Sequence, residues 1–270
     1  MCKNGHMGSK SRKTVSQKQN QSAGARVARE EMLHALRAAS HTSLTPTPAA
    51  QFVDEVMRAG DPALQIEICR PLSQPVREGD HKATKRALRT KLRAEREASR
   101  GQLDGSHVAA EIWDTISPAV RKHGLPCAVA GYEALLGELS ISRFMAASET
   151  SEIEVWRPVV SSAQGIKLSA LPVGFVTSSQ PSPAESSARI APPVSLVLVP
   201  AMAVDEDGAR LGQGGGWYDR ALTAIKRAHP AALFFAAIPG KTYLSRGLIP
   251  TEPHDIPMDG VITEAGWTLF

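Results

Sequence analysis

A glycine-rich loop at residues 210–216, RLGQGGG, is the segment most suited to binding a ligand. Glycine permits φ > 0 and lets successive backbone N–H groups face one set of oxygen atoms. A helix is predicted to begin near Trp217, and its N-terminus adds about half a positive charge. Arg210 and Asp219 flank the loop, one suited to phosphate and the other to Mg²⁺. These features favour a phosphate-binding site.

The loop differs from the common nucleotide-binding motifs. It lacks the Lys-Ser/Thr pair of GxxxxGK[ST], and Trp217 stands where GxGxxG would have its third glycine. A glycine-rich hairpin or a flexible lid would have a similar composition, so glycine content alone leaves the alternatives open.

Positive charge is concentrated in two stretches. Residues 1–29 contain seven Lys or Arg and no acid, a charge of +7, and residues 82–100 carry +6. The net charge of +4 therefore leaves −9 for the rest of the chain, so its body is acidic. The second stretch has helix formers throughout, and its cations recur at helical spacing. These cations are Lys85, Arg89, Arg93 and Arg96. They form either a solvated helix edge or one side of an anion site.

Composition excludes several protein classes. With 270 residues, 42% of them hydrophobic, the chain is long enough for a sizeable core, and it differs from collagen-like and disulfide-scaffold proteins. No apolar run approaches the roughly 20 residues of a membrane span, so no membrane association is expected. Cys2, Cys69 and Cys127 lack zinc-site spacing. A reducing compartment fits best, and we expect a cytoplasmic protein. The alternative is an organellar targeting peptide in the basic, acid-free N-terminus.

Periodicity divides the chain near residue 80. Residues 1–24 are polar and are predicted to be disordered, with short helices at 25–39 and near 52–57. We therefore expect an N-terminal extension over 1–80 and a catalytic domain over 81–270.

Helices and strands alternate in the second region. The pattern predicts helices at 82–98, 108–123 and 218–228, and strands at 126–132, 153–160, 194–200, 232–238 and 260–263. Such alternation is typical of an α/β sandwich with a mostly parallel sheet.

The segment RLGQGGGWYDR, preceded by VLVPAMAVDEDG, closely resembles the signature of 5-formyltetrahydrofolate cyclo-ligases, also called 5,10-methenyltetrahydrofolate synthetases. Three further landmarks match in order: KRALR at 85–89, GEL at 137–139 and HD at 254–255. The resemblance covers about residues 81–270. It implies a three-layer α/β sandwich related to the sugar-phosphate isomerase and CoA-transferase group. It also implies ATP-dependent cyclisation of 5-formyltetrahydrofolate, with Mg²⁺ as cofactor and folate and ATP as small-molecule partners.

The resemblance also implies roles for individual residues. The catalytic residues would be Lys85 and Arg210. ATP would contact Lys85, Arg86, Ala87, Leu88, Arg89, Arg210, Leu211, Gly212, Gln213, Gly214, Gly215, Gly216, Trp217 and Tyr218. The folate would contact Arg89, Glu133, Glu138, Gln213, Gly214, Gly215, Gly216 and Trp217. Mg²⁺ would be held by Asp219 and Asp255.

Other interpretations remain open. A non-catalytic nucleic-acid-binding protein would use the basic tail and helix, although the acidic remainder argues against nucleic acid as a partner. A phosphosugar isomerase-like enzyme on the same sandwich would need no ATP. Glu138 alone is an ordinary loop acid, and His254-Asp255 fits a turn. We expect the protein to be a monomer. We also expect the side chains of Lys85 and Arg210 to face solvent or ligand.

Overall fold

A computed structural model of the protein describes residues 9–39, 44–48, 78–98, 101–159, 173–177 and 188–270. The helices in these ranges are α1 (Ser9–Ala39), α2 (Glu78–Ala98), α3 (Ser106–Lys122), α4 (Ser142–Glu149) and α5 (Trp217–Ala228), with a 3₁₀ turn at Gly240–Thr242. The strands are β1 (Ala128–Ala130), β2 (Glu154–Pro158), β3 (Phe175–Thr177), β4 (Leu196–Pro200), β5 (Ala203–Asp205), β6 (Arg210–Leu211), β7 (Leu233–Ala237), β8 (Tyr243–Leu244), β9 (Gly260–Thr263) and β10 (Gly266–Leu269).

The main sheet has seven strands in the order β10-β9-β7-β4-β1-β2-β3. Its five inner strands pair in parallel, and β3 and β10 are antiparallel edges. From β1 the chain goes on to β2 on one side, whereas β4 lies on the other side. The strand order therefore reverses between β1 and β4, and ligands bind such sheets in the crevice beyond the carboxyl ends of those strands.

Alternate residues of the central strands enter different cores. Leu196 and Leu198 of β4 pack with α1, α3 and α4, whereas Val197 and Val199 pack with α5 on the opposite face. Because successive strand side chains point to opposite faces, apolar residues at every position require helices on both sides. The predicted α/β sandwich with a mostly parallel sheet is confirmed.

The strongly periodic elements agree with their predicted positions to within a few residues. Helix α5 begins at Trp217, as predicted, and strand β9 has the predicted bounds. Sequence reasoning missed α4, β3, β10 and the three short strands of a second sheet in the order β6-β5-β8. The helix predicted near residues 52–57 lies outside the described residues.

Helix α1 differs from the expected short helix at residues 25–39. It begins at Ser9, so residues 9–24, predicted to be disordered, form its first half. Ala28, Met32 and Leu36 recur every four residues and are buried with α3 in the main core. Once that face is packed, adding turns is favourable for residues with good helix propensity. This part of the N-terminal region therefore contributes to the core.

Helix α2 packs on the second sheet. Its Leu88 and Leu92 are buried with residues of β5, β6 and β8. This contact turns its basic edge towards the glycine loop that follows β6. Within the described residues, no helix combines the length and apolar character needed to cross a membrane.

We expect Met32→Ala to lower the free energy of unfolding by about 2–5 kcal/mol, because the side chain is 0% exposed and its loss leaves a cavity. Urea denaturation measures this change. Val27→Ala on the same helix is the matched control, since Val27 is 52% exposed. Equal effects of the two substitutions would show that α1 does not pack as described.

Candidate active site

The glycine loop connects β6 to the N-terminus of α5. Gly216 is the residue before the helix and has φ 63°, a left-handed conformation that side chains other than glycine rarely adopt. The N–H groups of residues 213–216 donate to no other described residue. Free amides beside a helix N-terminus match the predicted anion site.

Arg210 and Asp219 meet across this loop. Arg210 Nη2 donates to Asp219 Oδ1, and the guanidinium carbon lies 5.9 Å from the centre of the Tyr218 ring. The side chain of Arg210 is only 5% exposed, and its buried Nε has no partner among the described residues. The predicted exposure of Arg210 to solvent is thus corrected, because the ion pair with Asp219 buries the side chain.

Lys85 is also buried in ion pairs. Its Nζ lies 2.7 Å from Asp255 Oδ2 and 3.1 Å from Glu252 Oε2, and its side chain is 8% exposed. The Glu252 N–H also donates to Asp255 Oδ2 at 2.9 Å. Burial raises the pKa of Asp255, but the bond from Lys85 and this N–H outweigh it, so the net pKa is lowered. Lys85 therefore holds two carboxylates, which corrects the predicted exposure of its side chain to solvent.

Two arginines of α2 fix the glycine loop by its carbonyl groups. Arg89 Nε donates to the Gly212 carbonyl at 2.8 Å, and Arg93 Nη2 donates to the Gln213 carbonyl at 3.1 Å. In a trans peptide the C=O and the following N–H point in opposite directions. The N–H groups of Gln213 and Gly214 are therefore directed away from these arginines.

The charged groups around Arg89 lie close enough to influence one another. Burial lowers the pKa of Arg89, and the charges of Arg93 and Arg210 lower it further, whereas Asp219 and Asp255 oppose this. Arginine nevertheless stays protonated at neutral pH. Two of the predicted ATP-binding cations, Arg89 and Arg210, therefore lie in the same part of the structure as both predicted metal ligands, Asp219 and Asp255.

A cleft of ≈ 230 Å³ adjoins this region. Its lining includes Arg210, Asp219, Glu252 and Asp255. Glu252, His254 and Asp255 each place a ligand atom within 4.8 Å of the others. The cleft therefore has one cation for an anionic ligand, Arg210, and several carboxylate oxygen atoms of the kind that suits Mg²⁺.

The predicted folate residue Glu138 lies deep in the structure. It follows β1, is buried, and accepts a hydrogen bond from Arg96 Nη1 at 3.2 Å. Burial, followed by the charge of Glu138, raises the pKa of Tyr218, while Arg210 opposes this. Tyr218 thus lies within the influence of both Glu138 and Arg210. Glu133 of the same loop is exposed.

The remaining predicted residues divide into packed and exposed groups. Leu88 and Leu211 are buried in the cluster between α2 and the second sheet, so they support the site by packing. Arg86 and Gln213 have exposed side chains. The Trp217 ring makes edge contacts with Phe175 and Tyr218 at centroid distances of 5.2 and 4.8 Å.

Sequence reasoning did not assign Arg93, Arg96 or Glu252 to the site. Arg93 and Arg96 belong to the same helical stripe as Lys85 and Arg89, so their spacing was the available signal. Glu252 is three residues before Asp255 in a proline-rich turn and had no comparable signal. The inward contacts of the stripe also argue against α2 as a nucleic-acid-binding surface.

Comparison with known proteins supports the resemblance described above. Residues 148–264 match the model of the 5-formyltetrahydrofolate cyclo-ligase family. The resemblance is confirmed. This segment contains the glycine loop, Arg210, Asp219 and Asp255, whereas Lys85 and Glu138 lie before it.

Two curated relatives and one solved structure are similar to parts of the chain. A 5-formyltetrahydrofolate cyclo-ligase of Mycolicibacterium smegmatis is 46% identical over 68 residues, 25% of this chain and 32% of that protein. A mitochondrial 5-formyltetrahydrofolate cyclo-ligase of Arabidopsis thaliana is 35% identical over 82 residues, 27% of this chain and 28% of that protein. The matches thus span about a third of each relative. The NMR structure of Aquifex aeolicus 5,10-methenyltetrahydrofolate synthetase aligns with TM-score 0.50 and 21% identity over 68% of this chain and 92% of that one, showing a shared fold.

We expect Lys85→Met to lower the free energy of unfolding by about 1–3 kcal/mol, because it leaves two partly buried carboxylates without their cation. Urea denaturation at neutral pH measures the change. Lys82→Met is the control, since Lys82 is exposed on the same helix. If both variants had wild-type stability, the ion pairs would not contribute to the fold.

Proposed function

We propose that the protein closes 5-formyltetrahydrofolate to 5,10-methenyltetrahydrofolate in an ATP-dependent reaction that releases ADP and phosphate. One observation carries the proposal: Arg210, Asp219 and Asp255 line one cleft, Lys85 of α2 pairs with Asp255, and the glycine loop, held by Arg89, connects Arg210 to the helix of Asp219. A polyphosphate with a divalent cation is a ligand that needs cations, backbone amides and carboxylates.

The cations would hold the phosphate oxygens. Lys85, Arg89 and Arg210 are basic side chains, and the loop supplies N–H donors that have no partner among the described residues. In the protein alone, Lys85 and Arg210 are paired with carboxylates. These ion pairs would hold the two cations in position before the nucleotide binds. A bound triphosphate would then compete with the carboxylates for the same cations.

Asp219 and Asp255 would hold Mg²⁺. Both line the cleft, and proteins commonly bind Mg²⁺ through one or two carboxylates together with substrate phosphates and water. The donor set therefore fits this ion. When bound, Mg²⁺ would neutralise part of the phosphate charge.

The reaction must convert a poor leaving group, the formyl oxygen, into a good one. That oxygen attacks the γ-phosphorus, an O–P bond forms, and the bond to the β-phosphate oxygen breaks to release ADP. N10 of the same folate then attacks the formyl carbon and loses its proton, and the C–O bond breaks to release phosphate. Each step depends on positioning and charge stabilisation, so no protein nucleophile is required.

The folate would lie on the Glu138 side of the loop. Glu138 would accept hydrogen bonds from the pterin ring, with Glu133 near its edge, and residues 213–217 would separate the ring from the phosphates. Arg89 would contact both substrates. Holding both reactants in line can supply about 7–11 kcal/mol of the barrier. A cytoplasmic location and a monomeric state stay predictions.

We expect purified protein to form the methenyl product from 5-formyltetrahydrofolate and Mg-ATP, followed by its absorbance. Omitting ATP should abolish product formation, because the formyl oxygen then stays a poor leaving group. Product formation at the same rate without ATP would refute the proposed reaction, and no product under either condition would refute the activity.

We expect Arg210→Ala to lower kcat/KM at least 100-fold, because removal of one preorganised charge at a developing anion costs about 2.7–4 kcal/mol. Arg227→Ala is the matched control, since Arg227 is exposed in the last turn of α5. Steady-state kinetics with both variants makes the comparison. Equal rates in the two variants would contradict a role for Arg210 in the reaction.

A further inference from the structure

Arg96 lies where α2 meets the sheet's switch point between β1 and β4. Its Nη2 donates to the carbonyl of Ala201, the residue after β4, and its Nη1 donates to Glu138, in the loop that follows β1. Arg96 itself is buried. One guanidinium thus joins the loop that follows β1 to the carboxyl end of β4, and these strands border the crevice.

Both oxygens of Glu138 are held in place. Oε1 accepts from Arg96 at 3.2 Å, and Oε2 accepts from the Leu135 N–H at 3.1 Å. An ionised carboxylate has about four acceptor directions. The two bonds fix the carboxylate plane and leave acceptor capacity on each oxygen for a ligand with adjacent N–H donors.

The backbone of Gly137, next to Glu138, also packs closely against Arg96. Gly137 has φ +76°, and a Cβ added there would lie 3.0 Å from Arg96 Cβ and 3.3 Å from the Arg96 carbonyl oxygen. Such an approach is tight enough to require glycine. Arg96, Gly137 and Glu138 also line a cavity of ≈ 20 Å³, which is about the space for one water molecule. Packing and charge therefore both attach the loop to α2 at Arg96.

We propose that Arg96 is a positioning residue for the folate: it orients the carboxylate of Glu138 so that the ring is bound in one pose. This inference rests on the proposed function, because it assumes that Glu138 binds the ring. The arginines of α2 would then have two different roles. Arg89 and Arg93 contact the glycine loop, whereas Arg96 contacts the loop that contains Glu138.

A double-mutant cycle tests the inference. The dissociation constant of 5-formyltetrahydrofolate is measured by tryptophan fluorescence for wild type, Arg96→Gln, Glu138→Gln and the double variant, and Mg-ATP affinity is measured by calorimetry. Arg96→Gln should weaken folate binding about 10-fold or more, since hydrogen bonds to charged groups are the strong ones. Its Mg-ATP affinity should stay within about 2-fold of wild type. In the Glu138→Gln background, Arg96→Gln should have almost no further effect on folate binding.

Additive effects in the cycle would overturn the inference, because Arg96 would then act independently of Glu138. Equal losses of folate and Mg-ATP affinity would overturn it too, since they indicate a general structural role. If Arg96→Gln does not fold, Arg96→Lys replaces it: a single ammonium cannot reproduce the planar fork, so folate binding should weaken several-fold. A folded Arg96→Lys with wild-type folate affinity would contradict the proposal. Wild-type protein that binds no folate would instead refute the proposed function itself.

Discussion

The site depends on the neutralisation of one basic helix edge by distant parts of the same chain. Lys85 pairs with Asp255 and Glu252, Arg89 donates to a loop carbonyl, and Arg96 pairs with Glu138. Buried charges without partners are costly, so this edge can pack inside the protein only because each head group finds an acceptor. Those acceptors belong to the glycine loop, the turn at residues 252–255 and the loop after β1. The helix therefore fixes the relative position of the three segments.

The same arrangement explains how a folded protein keeps a strongly charged cleft before a ligand binds. Carboxylates hold the cations in place, and a phosphate group can replace a carboxylate because both are anions with oxygen acceptors. The free amides of the glycine loop have no such internal partner among the described residues. In the proposed site, these amides would bind an anion without first breaking a hydrogen bond to a described residue. Preorganised donors of this kind are the main source of electrostatic stabilisation in phosphoryl transfer.

Sequence reasoning succeeded where a signal was local. The loop, the helix that starts at Trp217 and the core strand β4 all follow from spacing and composition within a few residues. The two-residue strands β6 and β8 could not be predicted, because pairing with β5 rather than their own composition defines them. The α1 helix was predicted too short because the sequence of residues 9–24 lacks the apolar period that marks a packed face.

Contacts between remote residues were the other limit. Lys85 and Glu252 are 167 positions apart, and Arg96 and Glu138 are 42 apart, so no local pattern indicates that they pair. Their residue types were visible, but their partners depend on how α2 packs against the second sheet. The sequence therefore did not predict that Lys85 and Arg210 would be buried in ion pairs.

The central claim is that bare amides of the glycine loop bind a polyphosphate beside the basic edge of α2. Two-dimensional NMR of protein labelled with ¹⁵N-glycine tests it directly, because each glycine amide gives its own signal. We predict that Mg-ATP shifts the amides of Gly214, Gly215 and Gly216, while that of Gly124, at the end of α3, stays unchanged. Loop amides that remain unshifted at saturating Mg-ATP would contradict the account.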